Sequence, residues 1–215
     1  MNRILRHDSA FDQLLLGEIA EITHGCSVPP SAVPTGLEIL KISAVTRGYF
    51  NPEERKYIRD SQELRSRFDL RQGDLLLCRT NGTLAYVGMA ALVSDDLPNL
   101  IFPDKVIRVR LTSQDAHPDF VWRLLKTPFM RFKIEANART AVGNYAIGSS
   151  DLALLELILP PLKVQRRVCA AVNVAEERAN AARGQAAGIR AAAWNEASGL
   201  AWAARWPRYG RVDFE

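Results

Sequence analysis

Cysteine is scarce in this 215-residue chain: Cys26, Cys78 and Cys169 lie far apart and form no C-x-x-C pair. That spacing excludes a disulfide framework and a zinc site on paired thiols, and it leads us to expect reduced thiols in an intracellular protein. Histidine is as scarce. His7, His24 and His117 stand at no i, i+4 spacing, and no neighbouring acid or cysteine completes a triad or a metal box. His117 precedes Pro118 and reads as a helix-entry residue. No run approaches the roughly 18 apolar residues of a membrane span, and the N-terminus lacks the apolar core and small-residue cleavage site of a signal peptide. The expectation is a soluble, cytoplasmic protein with no membrane partner. Nucleotide loops are missing too: no G-x-G-x-x-G opens a helix after a strand, and no G-x-x-x-x-G-K-[ST] occurs. The adjacent carboxylates Glu53-Glu54 and Asp95-Asp96 flank turns and read as solvated. We therefore expect no catalytic residues, no metal and no cofactor, and hence no enzyme.

The chain is 47% hydrophobic, enough for one good core plus a smaller appendage. Its formal net charge of +4 is unevenly placed: residues 163–215 hold 9 basic and 5 acidic residues, whereas the first 162 hold 19 of each. A polyanion-binding surface on the main body would thus require segregation of charge onto one face. Residues 104–148 offer a local surplus of 8 basic over 4 acidic residues, with Arg108, Arg110, Arg131, Lys133 and Arg139 among them. A basic face and a solvated mixed surface both fit that surplus.

Along the chain we read an α/β body, a mixed and mostly antiparallel sheet with flanking helices, followed by a long C-terminal helix. Gly17 to Ile22 suggests a short helix running into a strand, and the proline-rich stretch "CSVPPSAVPTG" a loop. "LEILKISAVTRG" alternates as a strand ending in a turn at Arg47-Gly48. Ser61 caps a helix to Phe68 with Glu63 in its first turn, and Arg71 to Asp74 make a turn. "LIFPDKVIRVRLTS" reads as one strand, and "HPDFVWRLLKTPFMRFKIEANA" as a helix that Pro128 kinks or divides. "RTAVGNYAIGSSD" is turn-rich, and a short helix and strand end at Pro160-Pro161. From Lys163 to Trp206 an alanine-dominated stretch, with Val164, Val168, Ala171 and Ala175 opening its three-and-four spacing, forms one long helix. Gly184 and Gly188 mark either a close-packed partner helix or a break, beyond which Trp194, Trp202 and Trp206 fold back on the body.

The stretch "CRTNGTLAYVG", Cys78 to Gly88, carries the strongest short signal. Asn81-Gly82 suits a type I′ turn, with apolar strands on both sides. Yet Arg79, Thr80, Asn81 and Thr83 place more hydrogen-bonding side chains there than a two-residue connection requires. A purely local reading also stands: Asn81 supplies positive φ, and Arg79 pairs with a nearby acid such as Asp74.

Several stretches in order, "LLGEIAEITHGCSVPPS", "LEILKISAVTRGYF", "LRQGDLLLCRTNGTLAYVGMAALV", "IFPDKVIRVRL", "HPDFVWRLL" and "LLELILPPLKVQRRVCAAV", resemble the target recognition domains of Type I restriction-modification specificity subunits. The resemblance spans roughly residues 14–200. Its last step reads Pro160-Pro161-Leu162-Lys163-Val164-Gln165, with valine where the family usually has an acid before the glutamine. Such subunits typically carry two recognition domains and two spacer helices, and this chain has room for one of each. The resemblance implies a DNA target recognition domain over residues 1–162, a spacer or dimerisation helix over 163–206 and a tail over 207–215.

It also implies binding of double-stranded DNA, with sequence read in the major groove, and partner methyltransferase and restriction subunits that would hold the methyl donor and ATP. A homodimer through the helix would restore the missing half. Arg79 and Asn81 are the leading base readers, since arginine suits guanine and asparagine adenine. Thr80, Thr83 and Tyr86 would touch phosphate or pack. Arg139, Asn144 and Tyr145 form a second group on a glycine-flexible loop, and Arg47, Lys41 and Lys105 are phosphate candidates. The alternatives are an assembly module that keeps the fold without reading DNA, and an RNA binder, for which no stacked aromatic platform is evident.

Overall fold

The computed structural model describes residues 11–141 and 143–205; His7, Trp206 and the tail after it lie outside the described residues. The chain divides into two units after Arg167. In the first, β1 (Asp12–Leu15), α1 (Leu16–Ile19) and β2 (Ala20–His24) precede β3 (Glu38–Leu40), β4 (Arg55–Tyr57) and α2 (Gln62–Phe68). Then come β5 (Leu75–Cys78), β6 (Thr80–Asn81), β7 (Ala90–Leu92), β8 (Leu100–Ile101) and β9 (Val106–Leu111). The helices α3 (Pro118–Leu125) and α4 (Pro128–Asn137), the strands β10 (Arg139–Ala141) and β11 (Asn144–Ala146), α5 (Ser149–Ala153) and β12 (Glu156–Leu159) follow. The last helix, α6 (Leu162–Arg205), starts in this unit and runs through the second.

The mixed, mostly antiparallel α/β architecture expected from sequence is present. A central antiparallel sheet is ordered β2-β9-β5-β7, a second is β4-β3-β8 with β3 and β8 parallel, a third is β10-β11-β6, and β1 pairs with β12. The central sheet is buried on both faces, which accounts for the unbroken apolar run Leu75 to Cys78. Leu75 and Leu77 join Ile107, Val109, Val121 and Ile134 on one side. Leu76 and Cys78 join Ile39, Ile101, Phe102 and Val106 on the other. Each fully buried leucine contributes about 1.5–3 kcal/mol.

Local signals placed several elements. Ser61 Oγ accepts from Leu64 N at 3.3 Å and caps α2, and Gly73, at φ +90°, makes the turn before β5. Pro128 divides the expected helix into α3 and α4, and Thr127 caps the second by accepting from Met130 N. Gln165 explains the Pro160–Gln165 step. Its fully buried amide accepts from His117 N at 2.9 Å and donates to Asp115 O at 2.7 Å and Pro160 O at 2.8 Å. An acid could accept the first of these bonds but could not donate the other two.

Tertiary pairing overrode four expectations. The strand expected to continue to Arg47 stops at Leu40, because Ser43 Oγ donates to Glu54 and Asn51 N to Ala44 O, winding Ile42–Ala44 into a 3₁₀ turn. The single strand expected around Pro103 is two, β8 and β9, in different sheets, as suits a residue with no N–H for a ladder. The loop expected over residues 139–146 is a hairpin, β10 to β11, turning through Gly143 at φ +77°.

The fourth concerns Asn81-Gly82. β5 does pair with β7, but through Leu77 opposite Ala90, with Cys78 N donating to Met89 O and Gly88 N to Cys78 O. The positive φ of this connection lies at Gly88 (+68°) and not at Gly82. A Cβ on Gly88 would stand 2.3 Å from Ile134 Cγ2, so the connection tolerates only glycine at that point. Asn81 is instead a strand residue opposite Tyr145.

The described part of the second unit is helix. The 44 residues of α6 span about 66 Å at 1.5 Å per residue. The helix passes through Gly184 and Gly188 without interruption, so the expected alternative of a break there does not occur. An added Cβ at either glycine meets nothing within 4 Å. Val174, Ile189 and Trp194 are exposed, Trp194 by 74%.

Candidate nucleic-acid interface

The small sheet β10-β11-β6 draws both polar segments of the sequence to one place. Asn81 pairs with Tyr145 and Thr80 with Ala146, while Arg139 lies opposite Ala146 on the far side. Its base is fastened to the central sheet: Ile147 N donates to Arg79 O at 3.0 Å, and His24 Nε2 lies 2.9 Å from Ser149 Oγ. Burial, and then the charge of Arg79, lowers the His24 pKa. An open groove of about 210 Å³ runs beside this sheet, lined by Ile42, Thr80, Asn81, Gly82, Lys105 and Asn144. A second hollow of about 310 Å³ shares Ile42 and Lys105 with it and adds Lys41, Lys56 and Asp104. Lys105 thus borders the groove that carries two carboxamides, and the exposed Lys41 and Lys56 border the adjoining hollow. Such a combination can meet phosphate oxygens and base edges together.

Lys41, Lys105, Thr80, Asn81 and Asn144 are therefore gathered as one site. Neither hollow is lined by Arg47, Arg79, Thr83, Tyr86, Arg139 or Tyr145. Lys56 was missed by sequence reading; it comes beside Lys41 only through the antiparallel register that sets Ile39 opposite Lys56. Arg79 does not pair with Asp74. It is half-buried, its Nη1 donates to Asp104 O at 3.2 Å, and its backbone N donates to Lys105 O at 2.8 Å, so it clamps the segment that presents Lys105.

Thr83 and Tyr86 bracket an exposed turn that Arg131 fastens by donating to Ala85 O and Val87 O. Arg139 pairs with Asp151 at 3.1 Å. Arg47 donates to the Tyr49 hydroxyl at 3.3 Å, which raises its pKa further. Tyr145 packs on the core.

Arg108, Arg110, Arg131, Lys133 and Arg139, the basic residues singled out in 104–148, each pair with an acid of this chain. Arg110 grips Asp74 with two bonds of 2.7 Å, and Arg108, 2% exposed, meets Asp69 at 3.3 Å and Glu21 at 3.5 Å. Arg131 pairs with Glu135 and Lys133 with Glu156. Burial pushes the Asp69 carboxyl up, but the Arg71 hydrogen bond and the charges of Arg110, Arg71 and Arg108 outweigh it and hold the group below its usual range. Among the described residues no cluster of ligands could hold a metal ion, and no helix is long and apolar enough to cross a membrane.

No family model matches the chain. Over 151 residues it is 32% identical to the Type I restriction enzyme EcoKI specificity subunit of Escherichia coli (strain K12), covering 70% of this chain and 32% of that protein. The homologues of this chain are Type I restriction enzyme specificity subunits. A second, the EcoEI specificity subunit of Escherichia coli, is 27% identical over 149 residues, covering 69% of this chain and 25% of that protein. The chain spans about a quarter to a third of the length of these specificity subunits. Its fold is that of the HsdS subunit from Thermoanaerobacter tengcongensis, with a TM-score of 0.61 at 22% identity, over 99% of this chain and 53% of that one.

Proposed function

We propose that residues 11–162 form a DNA target recognition domain that reads a short half-site of duplex DNA and holds it for partner methyltransferase subunits, and with them a restriction subunit, in the cytoplasm. The observation that carries this reading is the likeness to specificity subunits over most of the chain, joined to a groove and an adjoining hollow that together combine lysines with carboxamides. In this reading the chain is not catalytic: methyl donor and ATP are held by the partner chains. Lys41, Lys56 and Lys105 meet phosphates, and the β10-β11-β6 sheet faces the base edges. Arg47, Thr83, Tyr86, Arg139 and Tyr145 act in supporting roles.

The helix from Leu162 onward pairs with a second copy of itself. Its support is an exposed, alanine-rich helix surface with Val174, Ile189 and Trp194, a surface that a partner helix would cover. Antiparallel pairing would direct two identical domains at the two halves of an interrupted palindrome. Light scattering at tens of micromolar should return a dimer, and a chain ending near Leu162 a monomer. Mapping methylated sites with the cognate methyltransferase should give one bipartite palindromic motif that depends on this chain.

One observation favours a second reading, an assembly module that does not read DNA: the arginines of residues 104–148 named above are engaged within the chain, leaving few free cations. In that case methylation would retain its motif when the groove lysines are removed.

A further inference from the structure

The two asparagines of the groove are not equivalent. Asn81 Oδ1 accepts from Thr83 N at 3.0 Å, closing a local turn. Beside it the buried Cys78 thiol, which donates to Thr80 O at 3.6 Å, is pushed up to about 11 by burial, with Asn81 acting to lower it. The Asn81 oxygen is thus engaged in the turn, and a bidentate contact with a base would share an acceptor that already holds Thr83 N. Asn144 lies one residue along the neighbouring strand, on the rim of the same groove. It is exposed, and its carboxamide makes no hydrogen bond within the chain among the described residues. Its Oδ1 lies 3.8 Å from the position a Cβ on Gly82 would take, so glycine at 82 leaves the approach to this amide open.

Resting on the reading of the chain as a DNA-sequence reader, we propose that Asn144 is the specificity-determining amide, taking the N6 and N7 edge of an adenine in the major groove, and that Asn81 is a positioning residue that shapes the turn beside it. A free carboxamide offers one acceptor and a donor at the spacing adenine presents, and no other base edge matches both. Lys105 lines the same groove and Lys56 the hollow that adjoins it, and both meet the backbone, where they add affinity without sequence preference.

The test selects duplexes from a randomised pool with the full chain and sequences the bound fraction. The wild-type protein should enrich a motif containing an adenine. Asn144→Ala should lose discrimination at that one position by roughly 5- to 150-fold, the range for a lost bidentate pair, with an unchanged thermal midpoint. Asn144→Asp, which exchanges the amide donor for an acceptor, should lose the adenine and shift toward cytosine, whose N4 donates. Asn81→Ala should lower the thermal midpoint and weaken all sequences together. The proposal is overturned if Asn144→Ala keeps the wild-type motif, or if Asn81→Ala erases a single position at unchanged stability. A wild-type protein that enriches no motif overturns both this inference and the DNA-reading function beneath it. A wild-type motif that survives both substitutions overturns the inference alone.

Discussion

Two sets of cations in the first unit, each side chain bearing one positive charge, differ in setting and in partners. Arg108 and Arg110 lie on the central strand β9 and are bound to Asp69 and Asp74, the latter 1% exposed. Lys41, Lys56 and Lys105 are exposed around a hollow, and among the described residues only Lys41 of the three has an acid in reach, Glu54 at 3.6 Å. Guanidinium suits the first setting because its rigid fork matches a carboxylate with two bonds. A flexible ammonium suits the second because it can follow a phosphate and stays hydrated until one arrives. The lesson is that a count of basic residues along a chain does not locate a polyanion surface; what matters is which cations lack an acid within reach.

The largest effect should come from breaking the buried set. Asp74→Ala takes both 2.7 Å bonds from Arg110, leaving it only the longer contacts to Asp69, and leaves Arg71 N without its 2.8 Å acceptor. Removing one partner of a pair this buried should cost about 3 kcal/mol, read as a lower urea midpoint at unchanged slope. Arg79→Ala lies between the two sets. It removes the bond to Asp104 O and should cost about 1 kcal/mol in the same assay. Because Arg79 acts through the segment carrying Lys105, the variant should weaken binding to all duplexes alike, with no change of preferred sequence.

Acid should separate the sets further. The Asp69 carboxyl is held below its usual value near 4. Its contribution to stability is therefore fully present above that value and is lost as the pH falls through the lower, folded-state value. Urea midpoints taken from pH 7 to pH 3 should decline at the acid end, and Asp69→Asn should flatten that decline. Lysine removal should have the smallest effect on stability: Lys56→Ala with Lys105→Ala should stay within about 0.5 kcal/mol of wild type.

How much of this was legible in the sequence follows the range of the interactions. The Ser61 cap, the turn at Gly73, the division at Pro128 and the long α6 depend on residues a few positions apart, and each was readable. Asn81-Gly82 misled because its local preference competes with a ladder to β11, some sixty residues away, which holds Asn81 extended. The hairpin of residues 139–146 was hidden for the same reason, since a short polar stretch around Gly143 becomes strand only beside β6. For the site, Asn144, Lys41 and Lys105 were legible as polar residues on turn-rich segments. Lys56 was not, because only the register of β3 with β4 brings it to the hollow beside the groove. The commitment of Arg108 and Arg110 to Asp69 and Asp74 crosses some forty positions and has no local signature.

The central claim is that this chain holds DNA through the lysine-bordered groove, and the salt dependence of binding tests it most directly. Each phosphate contact contributes a slope of about −0.9 to log Kobs against log salt. The full chain titrated with duplex at several salt concentrations should show a steep slope, and the Lys56→Ala, Lys105→Ala double variant a slope shallower by about 2 at unchanged stability. A slope that is flat in the wild type, or identical in the two proteins, would contradict the account.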